Sequence, residues 1–298
     1  EGRCDFSNIS AQGEMRFTRA VIGGFLSFNG ATLVAGKPEQ WALNLFQSTI
    51  KGGIWMRKAP VKEGEPRPFT ATGGVDLTDA TLGTIRADGA TFTNPGRMAL
   101  SGEGMTVEGA CDFGNITATG EMRFTRAVIG GALGFNGATL SAENPGIWSL
   151  NLYRTTVEGG LYLRTISISD DKDRPFSATG GVSLQEAALG TISADGANFT
   201  SPGRIALQCN GLKVASSCAF DKIDAQGTLD FSVASFEGWV RISGVVQSAS
   251  EALNLGGARC ASEIRLDGEF AGEWSVDCSG LTVEGSMVLG SGFVSRGL

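Results

Sequence analysis

The amino-acid sequence predicts an all-β protein built as a single right-handed parallel β-helix of about eleven turns. Three observations support this prediction. The stretch 4–33 returns at 111–140 with twenty-five of its thirty letters identical. A short strand pattern recurs along the whole chain in the same order of unequal steps. The composition combines 44 Gly with 42% hydrophobic residues, which indicates a continuous core rather than a disordered glycine-rich chain.

The long repeat is marked by three cysteines. Cys4, Cys111 and Cys218 begin successive copies, and their positions differ by 107 each time. The super-repeats are 4–110, 111–217 and 218–298, the last of them partial and diverged. No linker, charge block or low-complexity tract separates the copies, so we expect one β-solenoid domain over residues 1–298.

A smaller unit lies inside each super-repeat, with the pattern apolar, x, Gly or Ser, x, apolar, x, apolar. Its period-2 alternation is typical of a β-strand. The units begin at Ile22, Ile50, Val107, Ile129, Val157, Val214, Phe236, Cys260 and Val283, and shorter versions begin at Leu82 and Leu189.

The spacing of these units predicts the solenoid. From Ile22 to Ile129 the steps between successive starting positions are 28, 32, 25 and 22, and the same four steps then repeat. Each step holds one strong strand, a corner such as Gly30-Ala-Thr-Leu33, and a weaker strand such as residues 42–45. No single turn can bury its apolar side alone, whereas stacked turns bury a continuous ladder. At ~4.8 Å per turn, the predicted rod is about 50 Å long.

The glycine or serine at the third position of the unit predicts a tight interior near a corner, with room for little more than a hydrogen atom. Irregular turn lengths argue against the strictly hexapeptide left-handed helix. Parallel crossovers are overwhelmingly right-handed, which sets the predicted hand.

Charge and cysteine content limit the partners and the compartment. The net charge of −7 disfavours nucleic-acid binding, because that needs a basic face opposite the phosphates. All six Cys lie at inward positions or beside apolar residues, so we interpret them as core residues. No CxxC pair or disulfide spacing is evident, which favours a reducing, cytoplasmic compartment. No apolar run is long enough for a transmembrane segment.

The sequence offers little catalytic chemistry. It contains no His, which removes Ser-His-Asp and Cys-His arrangements, imidazole metal sites and the commonest general base. Glycine-rich nucleotide-binding motifs are absent as well. We therefore predict no catalytic residue, no metal and no cofactor.

A carbohydrate-active enzyme, either a polysaccharide hydrolase or a lyase, is the alternative function, because right-handed β-helices host such enzymes on their outer faces. The charged candidates are Asp76, Asp79, Arg86, Asp88, Glu186 and Asp195. A hydrolytic carboxylate pair lies about 5 to 9.5 Å apart, which means one or two turns. Asp88 and Asp195 are four turns apart, roughly 19 Å. Asp76 and Asp79 are interpreted as a solvated corner.

One outward column of the solenoid can be read directly from the units. Its successive residues are Asp5, Ser27, Trp55, Arg86, Asp112, Gly134, Tyr162, Ser193, Ala219, Arg241, Arg265 and Val288. The column is mixed in size and charge, which argues against a surface that matches a regular lattice.

The two longest turns carry polar insertions, residues 57–68 and 164–175, which are expected to project from the same side of the rod. Insertions on one face of a solenoid are often its binding face. Outward aromatics, Phe25 among them, add to this side. The predicted interaction surface consists of Trp55, Arg57, Lys58, Lys62, Glu63, Tyr162, Arg164, Asp170, Asp171, Lys172, Asp173 and Trp239.

The segments GEMRFTRAVIGGFLSFNGATL (13–33) and GGVDLTDATLGTIRADGATF (73–92) resemble the bacterial β-helical repeat proteins often labelled membrane-associated oxidoreductases. They are also distantly similar to pentapeptide-repeat proteins. The resemblance covers nearly the whole chain and implies a β-helical fold. Its motif contains no catalytic residue, and the redox cofactor that the label implies has no corresponding residue here.

These observations together predict a non-enzymatic scaffold that displays lateral loops to a protein partner or assembles end to end. A further alternative is an acidic mimic that binds a nucleic-acid-binding protein. The first turn begins at a position equivalent to residue 108, and no capping segment follows Val283. An uncapped solenoid end is an unpaired strand edge. We therefore expect either a longer polypeptide or end-to-end association through the terminal turns.

Overall fold

The computed structural model describes residues 2–37, 39–60, 65–142, 144, 146–169 and 172–297. These residues form a right-handed parallel β-helix, which confirms the predicted fold. None of the described residues is helical, so the described part of the chain has no helix that could span a membrane. Each turn has four short walls, which we number 1 to 4 in chain order.

Walls 1 and 2 belong to the larger sheet, and strands in register stack in parallel along each wall. The strands of wall 1 are Cys4–Asp5, Phe25–Ser27, Gly53–Trp55, Ile85–Arg86, Cys111–Asp112, Leu133–Gly134, Leu161–Tyr162, Ile192–Ser193, Cys218–Asp230, Val240–Gln247, Ile264–Ala271 and Met287–Leu289. We number turns 1 to 12 by these strands. The strands confined to wall 2 are Ser10–Gln12, Thr32–Val34, Thr70–Thr72, Thr139–Ser141, Ser177–Thr179 and Val294–Arg296.

Several long strands bend around a corner and serve two or three walls. Strands Thr91–Ser101, Thr117–Arg123 and Asn198–Gln208 cover walls 2 and 3, Val240–Gln247 and Ile264–Ala271 cover walls 1 and 2, and Cys218–Asp230 covers all three. The strands confined to wall 3 are Met15–Arg16, Leu43–Asn44, Val75–Asp76, Leu150–Asn151, Val182–Ser183, Glu251–Asn254 and Trp274–Asp277.

Wall 4 is a separate sheet with one strand per turn. Its strands are Val21–Ile22, Thr49–Ile50, Thr81–Leu82, Thr106–Val107, Val128–Ile129, Thr156–Val157, Ala188–Leu189, Lys213–Val214, Ser235–Phe236, Arg259–Cys260 and Thr282–Val283. A two-stranded antiparallel hairpin, Ile166–Ser169 with Lys172–Arg174, lies outside the four walls.

Aspartate and asparagine side chains end walls 1 and 3. The Oδ1 atoms of Asp76, Asp112 and Asn151 each accept a hydrogen bond from the backbone N–H two residues later, at 3.0 to 3.1 Å. This local bond is an Asx turn, which redirects the chain without help from another strand. The left-handed residue of the following corner is often glycine, such as Gly30 with φ 67°. The corner predicted at Gly30-Ala-Thr-Leu33 is therefore confirmed.

The predicted strand unit needs one correction. Ile22 belongs to wall 4 and Leu26 to wall 1, so the unit crosses a corner and a turn has four walls instead of two strands. The glycine between them, Gly24, does not face the core. A Cβ at Gly24 would lie 2.5 Å from the carbonyl oxygen of Gly2 in the preceding turn. Glycine is required here because neighbouring backbones stack too closely for a side chain.

Phenylalanines fill the core at four-turn intervals. In the first super-repeat, Phe6 stacks on Phe28 at 5.3 Å between ring centroids, and Phe17 meets both edge-on. The same triad returns as Phe113, Phe124 and Phe135. The third copy keeps Phe220 and Phe231, and Ile242 takes the third place. The period of the super-repeat in sequence is thus a structural period of four turns.

Cysteines occupy the inner ladder, as predicted. Cys111, Cys209, Cys218 and Cys260 are buried, and Cys4 and Cys278 in the outer turns are half-buried. Burial raises the pKa of the Cys111 thiol, and the same cause raises that of Cys209 and Cys218. These thiols remain protonated at neutral pH and pack as small apolar groups.

Candidate functional site

The predicted outward column is the outer face of wall 1. Strand register places Asp5 beside Ser27, Ser27 beside Trp55, and so on without a break to Val288. Trp55 and Tyr162 lie on this face and are half-buried by their neighbours. The sequence therefore placed the aromatic residues of wall 1 correctly.

Trp55 is the centre of the largest aromatic cluster on wall 1. Its ring lies 4.7 Å from that of Phe25. The guanidinium carbons of Arg3 and Arg57 each lie 5.8 Å from the centre of the Trp55 ring, within cation–π range. The indole Nε1 is buried and has no hydrogen-bond partner among the described residues. The cluster therefore combines the apolar ring of Trp55 with the guanidinium groups of Arg3 and Arg57 and an indole N–H that has no acceptor in the described part of the chain.

Two further aromatic–arginine pairs lie on the same wall. The Arg164 guanidinium lies 4.5 Å from the Tyr162 ring centre, and Arg164 Nε donates to Ser193 Oγ at 2.9 Å. Trp239 is 39% exposed, and the guanidinium of Arg241 lies 5.2 Å from its ring. The Trp55, Tyr162 and Trp239 rows are four and three turns apart, which is about 19 and 14 Å. The predicted surface is thus three separate points along one wall.

Both insertions leave the corner between walls 1 and 2, which agrees with the prediction that they share a side. In the first, Ala59 and Arg67 exchange backbone hydrogen bonds of 2.8 and 2.9 Å. The second forms the antiparallel hairpin, in which Ser167 Oγ donates to Asp173 at 2.7 Å. Lys172 is exposed on the same hairpin. The predicted residues Lys62, Glu63, Asp170 and Asp171 lie outside the described residues.

The roots of both hairpins are fixed to the rod. Arg67 Nη2 donates to Thr32 Oγ1 at 2.8 Å, and Arg174 Nη2 donates to the Ile116 carbonyl at 3.2 Å. These two arginines occupy equivalent positions in the first two super-repeats, and each bonds to a turn nearer the N-terminus. Lys58 lies against the corner at Gly89, where a Cβ would be 2.8 Å from Lys58 Cε. The described bases of both insertions therefore hold a defined position on the corner.

The charged residues considered for an enzyme do not converge. Asp76 belongs to wall 3, whereas Arg86 belongs to wall 1. Asp88 accepts a hydrogen bond from Asn115 within a corner, and Glu186 pairs with Arg154 at 2.7 Å. Among the described residues, no group of three potential metal ligands is found.

Asp76 differs from the solvated corner residue that the sequence suggested. It is only 7% exposed, and burial raises the pKa of its carboxyl above the ordinary 3.8, with the charges of Glu14 and Asp79 adding to the effect. Asp79 is in the left-handed conformation at the next corner, with φ 54°. Asp76 is therefore a buried cap of wall 3.

A polysaccharide-cleaving enzyme needs two acidic residues within one or two turns of each other in one groove. Asp88 and Asp112 lie on adjacent turns, but Asp88 Oδ1 accepts a hydrogen bond from Asn115 and Asp112 Oδ1 accepts one from the Gly114 N–H within the corner. A cavity on wall 4 contains Glu237 and Glu284, which are two turns apart with Ala261 between them. The enzyme alternative therefore keeps candidate pairs such as Glu237 with Glu284.

A second loop-bearing corner lies between walls 2 and 3, and the sequence pattern did not predict it. Turns 2, 4, 6 and 8 make longer passages there, whereas turns 3 and 5 turn tightly through glycines in the left-handed region, Gly73 and Gly120. A cavity of about 330 Å³ opens between the loops. We call it the corner notch, and it is lined by Glu39, Gln40, Trp41, Gly73, Asn94, Arg97, Met98, Glu121, Arg123 and Ile147.

A buried ion pair forms one side of the corner notch. Glu121 is buried, and its Oε2 lies 2.6 Å from Arg123 Nη2. Asn151 Nδ2 donates to the other carboxylate oxygen at 2.9 Å. The hydrogen bond with Glu121 raises the pKa of Arg123, so the guanidinium stays charged. Arg123 Nε is buried and has no hydrogen-bond partner among the described residues.

The same three residue types occur once more at a place where loops do not cover them. Glu14, Arg16 and Asn44 repeat the arrangement one super-repeat earlier, with contacts of 2.5 and 2.7 Å. There the Arg16 side chain is 65% exposed, compared with 34% for Arg123. The repeated Glu-Met-Arg tripeptide was visible in the sequence. The loops that cover one copy only could not be placed before the four walls were known.

Wall 4 presents a column that sequence analysis did not consider. Over turns 1 to 7 its outward residues are Val21, Thr49, Thr81, Thr106, Val128, Thr156 and Ala188. This column is uncharged, and its residues are Thr or Val except for Ala188. Over these turns wall 4 is therefore more regular than wall 1, whose outward column is mixed in size and charge.

The chain matches no protein-family profile, no curated protein and no solved structure. Its function must therefore be inferred from the arrangement of its own residues.

Proposed function

We propose that this chain is a non-enzymatic scaffold whose wall 1 and adjacent hairpins bind a protein partner. The observation that carries the proposal is the placement of three aromatic–arginine pairs and both hairpins along one side of the rod. Tryptophan, tyrosine and arginine are the residue types that most often dominate the energetics of protein interfaces. Their concentration on one wall favours recognition over a purely structural role.

Charge supports a partner with carboxylates at matching positions. Arg57 and Arg164 form no ion pair with another described residue, although both are held over aromatic rings. A cation held in place loses little side-chain entropy on binding, so an acidic group opposite it contributes more affinity. The arginines do not favour the acidic-mimic alternative. The enzyme alternative has carboxylate pairs such as Glu237 with Glu284, but these lie on wall 4, away from the aromatic–arginine pairs.

Site-specific photo-crosslinking in the source cells tests this proposal. The photoreactive residue p-benzoylphenylalanine replaces Tyr162 on wall 1 and, as the matched control, Thr106 on wall 4. We expect a discrete crosslinked protein from position 162 and none from 106. The double variant Arg57→Glu with Arg164→Glu should abolish that crosslink. Equal crosslinking from both walls, or a crosslink that survives the double variant, would contradict wall 1 as the interface.

End-to-end assembly is a second candidate function, favoured by the four-turn period. Met287 and Leu289 continue the inward ladder of wall 1 in turn 12, where they are 42% and 54% exposed. Turn 12 is the fourth turn of its super-repeat, as turns 4 and 8 are of theirs. Turns 4 and 8 are each followed by the first turn of the next super-repeat. The first turn of a second copy would continue this order.

Sedimentation of residues 1–298 tests the assembly. We expect concentration-dependent dimers or short filaments, and the variant Leu289→Lys should return the chain to a monomer by placing a charge on the exposed ladder. The control Arg265→Lys changes the outer face of turn 11 and should leave the assembly intact. A wild-type monomer at tens of micromolar would exclude this function and leave the wall 1 proposal untouched.

A further inference from the structure

The corner notch has the features of a small-molecule site. Its volume of about 330 Å³ is near the lower end of the range for ligand pockets. Trp41, Met98 and Ile147 supply apolar surface, and the Glu121–Arg123 pair with Gln40 and Asn94 supplies polar groups. A mostly apolar cleft with a few convergent polar groups is the usual composition of such sites.

Two acidic and two basic side chains line the notch, Glu39, Glu121, Arg97 and Arg123, so its formal charge is zero, which favours a neutral ligand. Glu121 neutralises Arg123 at 2.6 Å, and both carboxylate oxygens of Glu121 already accept hydrogen bonds. A cationic ligand would therefore find no free acceptor on Glu121. An anionic ligand would find Arg123 already neutralised. The unfilled position is a donor, Arg123 Nε, and a buried donor without a partner is costly unless a ligand or water oxygen accepts from it.

The indole of Trp41 indicates the shape of the ligand. Its edge packs on the tight turn of the neighbouring strand, where a Cβ on Gly74 would lie 3.0 Å from Trp41 Cζ3. An indole seated on backbone in this way is a rigid plate, and its apolar face suits a flat ring with C–H groups. A sugar ring fits these features, because it is neutral, has an apolar face of C–H groups and carries oxygen atoms that can accept a hydrogen bond from Arg123 Nε.

A second cavity continues the notch along the same corner. It also measures about 330 Å³, and Ile147 borders both cavities. Trp148, the equivalent of Trp41, packs in the same way against Gly181. The ion pair is missing there, because Thr228 and Asp230 replace Glu121 and Arg123. The two tryptophans are four turns, about 19 Å, apart along the rod.

We propose that the corner between walls 2 and 3 binds a neutral oligosaccharide, with one sugar ring on Trp41 beside Arg123 and the chain continuing toward Trp148. The Trp41 notch is the stronger subsite, because it alone has the buried ion pair and the free Arg123 Nε. This binding is independent of the partner surface on wall 1, and it involves no bond cleavage.

NMR titration of the chain labelled with ¹⁵N at its five Trp side chains tests the proposal. The probes are maltohexaose, cellohexaose, mannohexaose and chitohexaose, with hexagalacturonate as the anionic comparison. We expect at least one neutral hexasaccharide to shift the indole signal of Trp41 first and that of Trp148 at higher concentration. The signals of Trp55, Trp239 and Trp274 are internal controls and should not move.

Two matched variants isolate the role of the notch. Arg123→Lys keeps the ion pair with Glu121 but removes the Nε donor, and we expect at least tenfold weaker binding. Arg16→Lys makes the same change in the exposed Glu14–Arg16 pair and should leave the affinity unchanged. Trp41→Phe should weaken binding severalfold, and the remaining indole signals report whether the fold is intact.

Several results would overturn the inference. These are the absence of any Trp41 shift with all four neutral probes, equal shifts at Trp55 and Trp239, tighter binding of hexagalacturonate, or equal effects of Arg123→Lys and Arg16→Lys.

Discussion

At the scale of single residues, the corners between walls 3 and 4 show how strongly the backbone constrains the sequence. One residue in most of these corners is in the left-handed region, and in turns 4, 8, 10 and 11 it is glycine, for example Gly211 and Gly257. Turn 9 instead has Val233 with φ 50°, and the side chain is 59% exposed. A β-branched residue in this conformation is strained by clashes with its own backbone.

Val233→Asn should therefore stabilise the protein. Asparagine tolerates the left-handed region, so we expect the free energy of unfolding to rise by about 1 kcal/mol. Chemical denaturation followed by circular dichroism measures the change. The control Val245→Asn alters another exposed valine, which lies within a strand and is 38% exposed, and it should be neutral or destabilising. Loss of stability in Val233→Asn would show that the valine makes a compensating contact.

Asp76 gives a pH-dependent prediction. Burial raises the pKa of its carboxyl in the folded protein, so the folded state binds the proton more tightly than the unfolded state. The charged form then lowers stability, and this cost appears as the pH rises through the raised pKa. Asp76→Asn keeps the acceptor for the Thr78 N–H and removes the charge. It should match wild type near pH 3 and be more stable near pH 7.

Denaturation midpoints of both proteins across this pH range measure the difference. Asp112→Asn is the matched control, because Asp112 makes the same turn but is exposed. It measures what the exchange of carboxylate for amide does at an exposed turn of the same kind. If Asp76→Asn became less stable relative to wild type as the pH rises, the sign of the effect would be opposite to the one that burial predicts.

At the scale of elements, the stacked glycines between walls 4 and 1 decide where strands can meet. A Cβ on Gly131 would lie 2.7 Å from the backbone nitrogen of Ala110, which cannot move without disturbing the turn below. Three positions later, Gly134 faces outward, and the nearest atom to a Cβ there is 4.0 Å away. The same residue type therefore has different roles within one turn.

Gly131→Ala should destabilise the protein by about 1 to 3 kcal/mol, the usual cost of overpacking. Gly134→Ala should be neutral or slightly stabilising, because it only restricts the unfolded chain. Thermal unfolding of the two variants gives the comparison. Similar midpoints would mean that the corner can widen by a few tenths of an ångström at no cost.

The elements were only partly predictable from the sequence. Alternation from Ile22 through Leu26 to Phe28 identified the buried side chains correctly, since period 2 survives passage around a corner. Because this alternation continues across the corner between walls 4 and 1, the sequence pattern did not reveal the corner, and the two walls were predicted as one strand. The pairs that make the corner notch, such as Trp41 with Arg123, are three turns apart, and no local pattern reports that distance.

At the scale of the whole molecule, the four-turn period makes the super-repeats interchangeable. Ile85 of turn 4 pairs with Cys111, and Ile192 of turn 8 pairs with Cys218. Two of the three aromatic core residues that follow are also equivalent, since Phe113 and Phe124 correspond to Phe220 and Phe231, and Ile242 replaces Phe135. In a solenoid each turn contacts only its neighbours, so stability is approximately a sum of turns and their interfaces.

Deletion of residues 111–217 should therefore leave a folded, shorter rod in which Ile85 pairs with Cys218. We expect an unchanged far-UV circular dichroism spectrum per residue and cooperative unfolding at a lower midpoint. The control deletion of 111–149 joins Ala110, at the end of wall 4, to Leu150 at the start of wall 3, so that one turn lacks walls 1 and 2, and it should not fold. A collapsed spectrum for the in-phase deletion would show that the copies are not equivalent.

The two hairpins, tied down by Arg67 and Arg174, leave one corner at equivalent points of successive super-repeats. This spacing acts as a ruler, because the stacked backbone fixes the separation at ~19 Å and allows no linker to stretch. A partner with two recognition elements at that distance would gain avidity, since the second contact forms at high effective concentration once the first is made. Duplication of one super-repeat would add another contact four turns further along the rod and would leave the existing contacts unchanged. The valency of such a protein can then change by whole repeats.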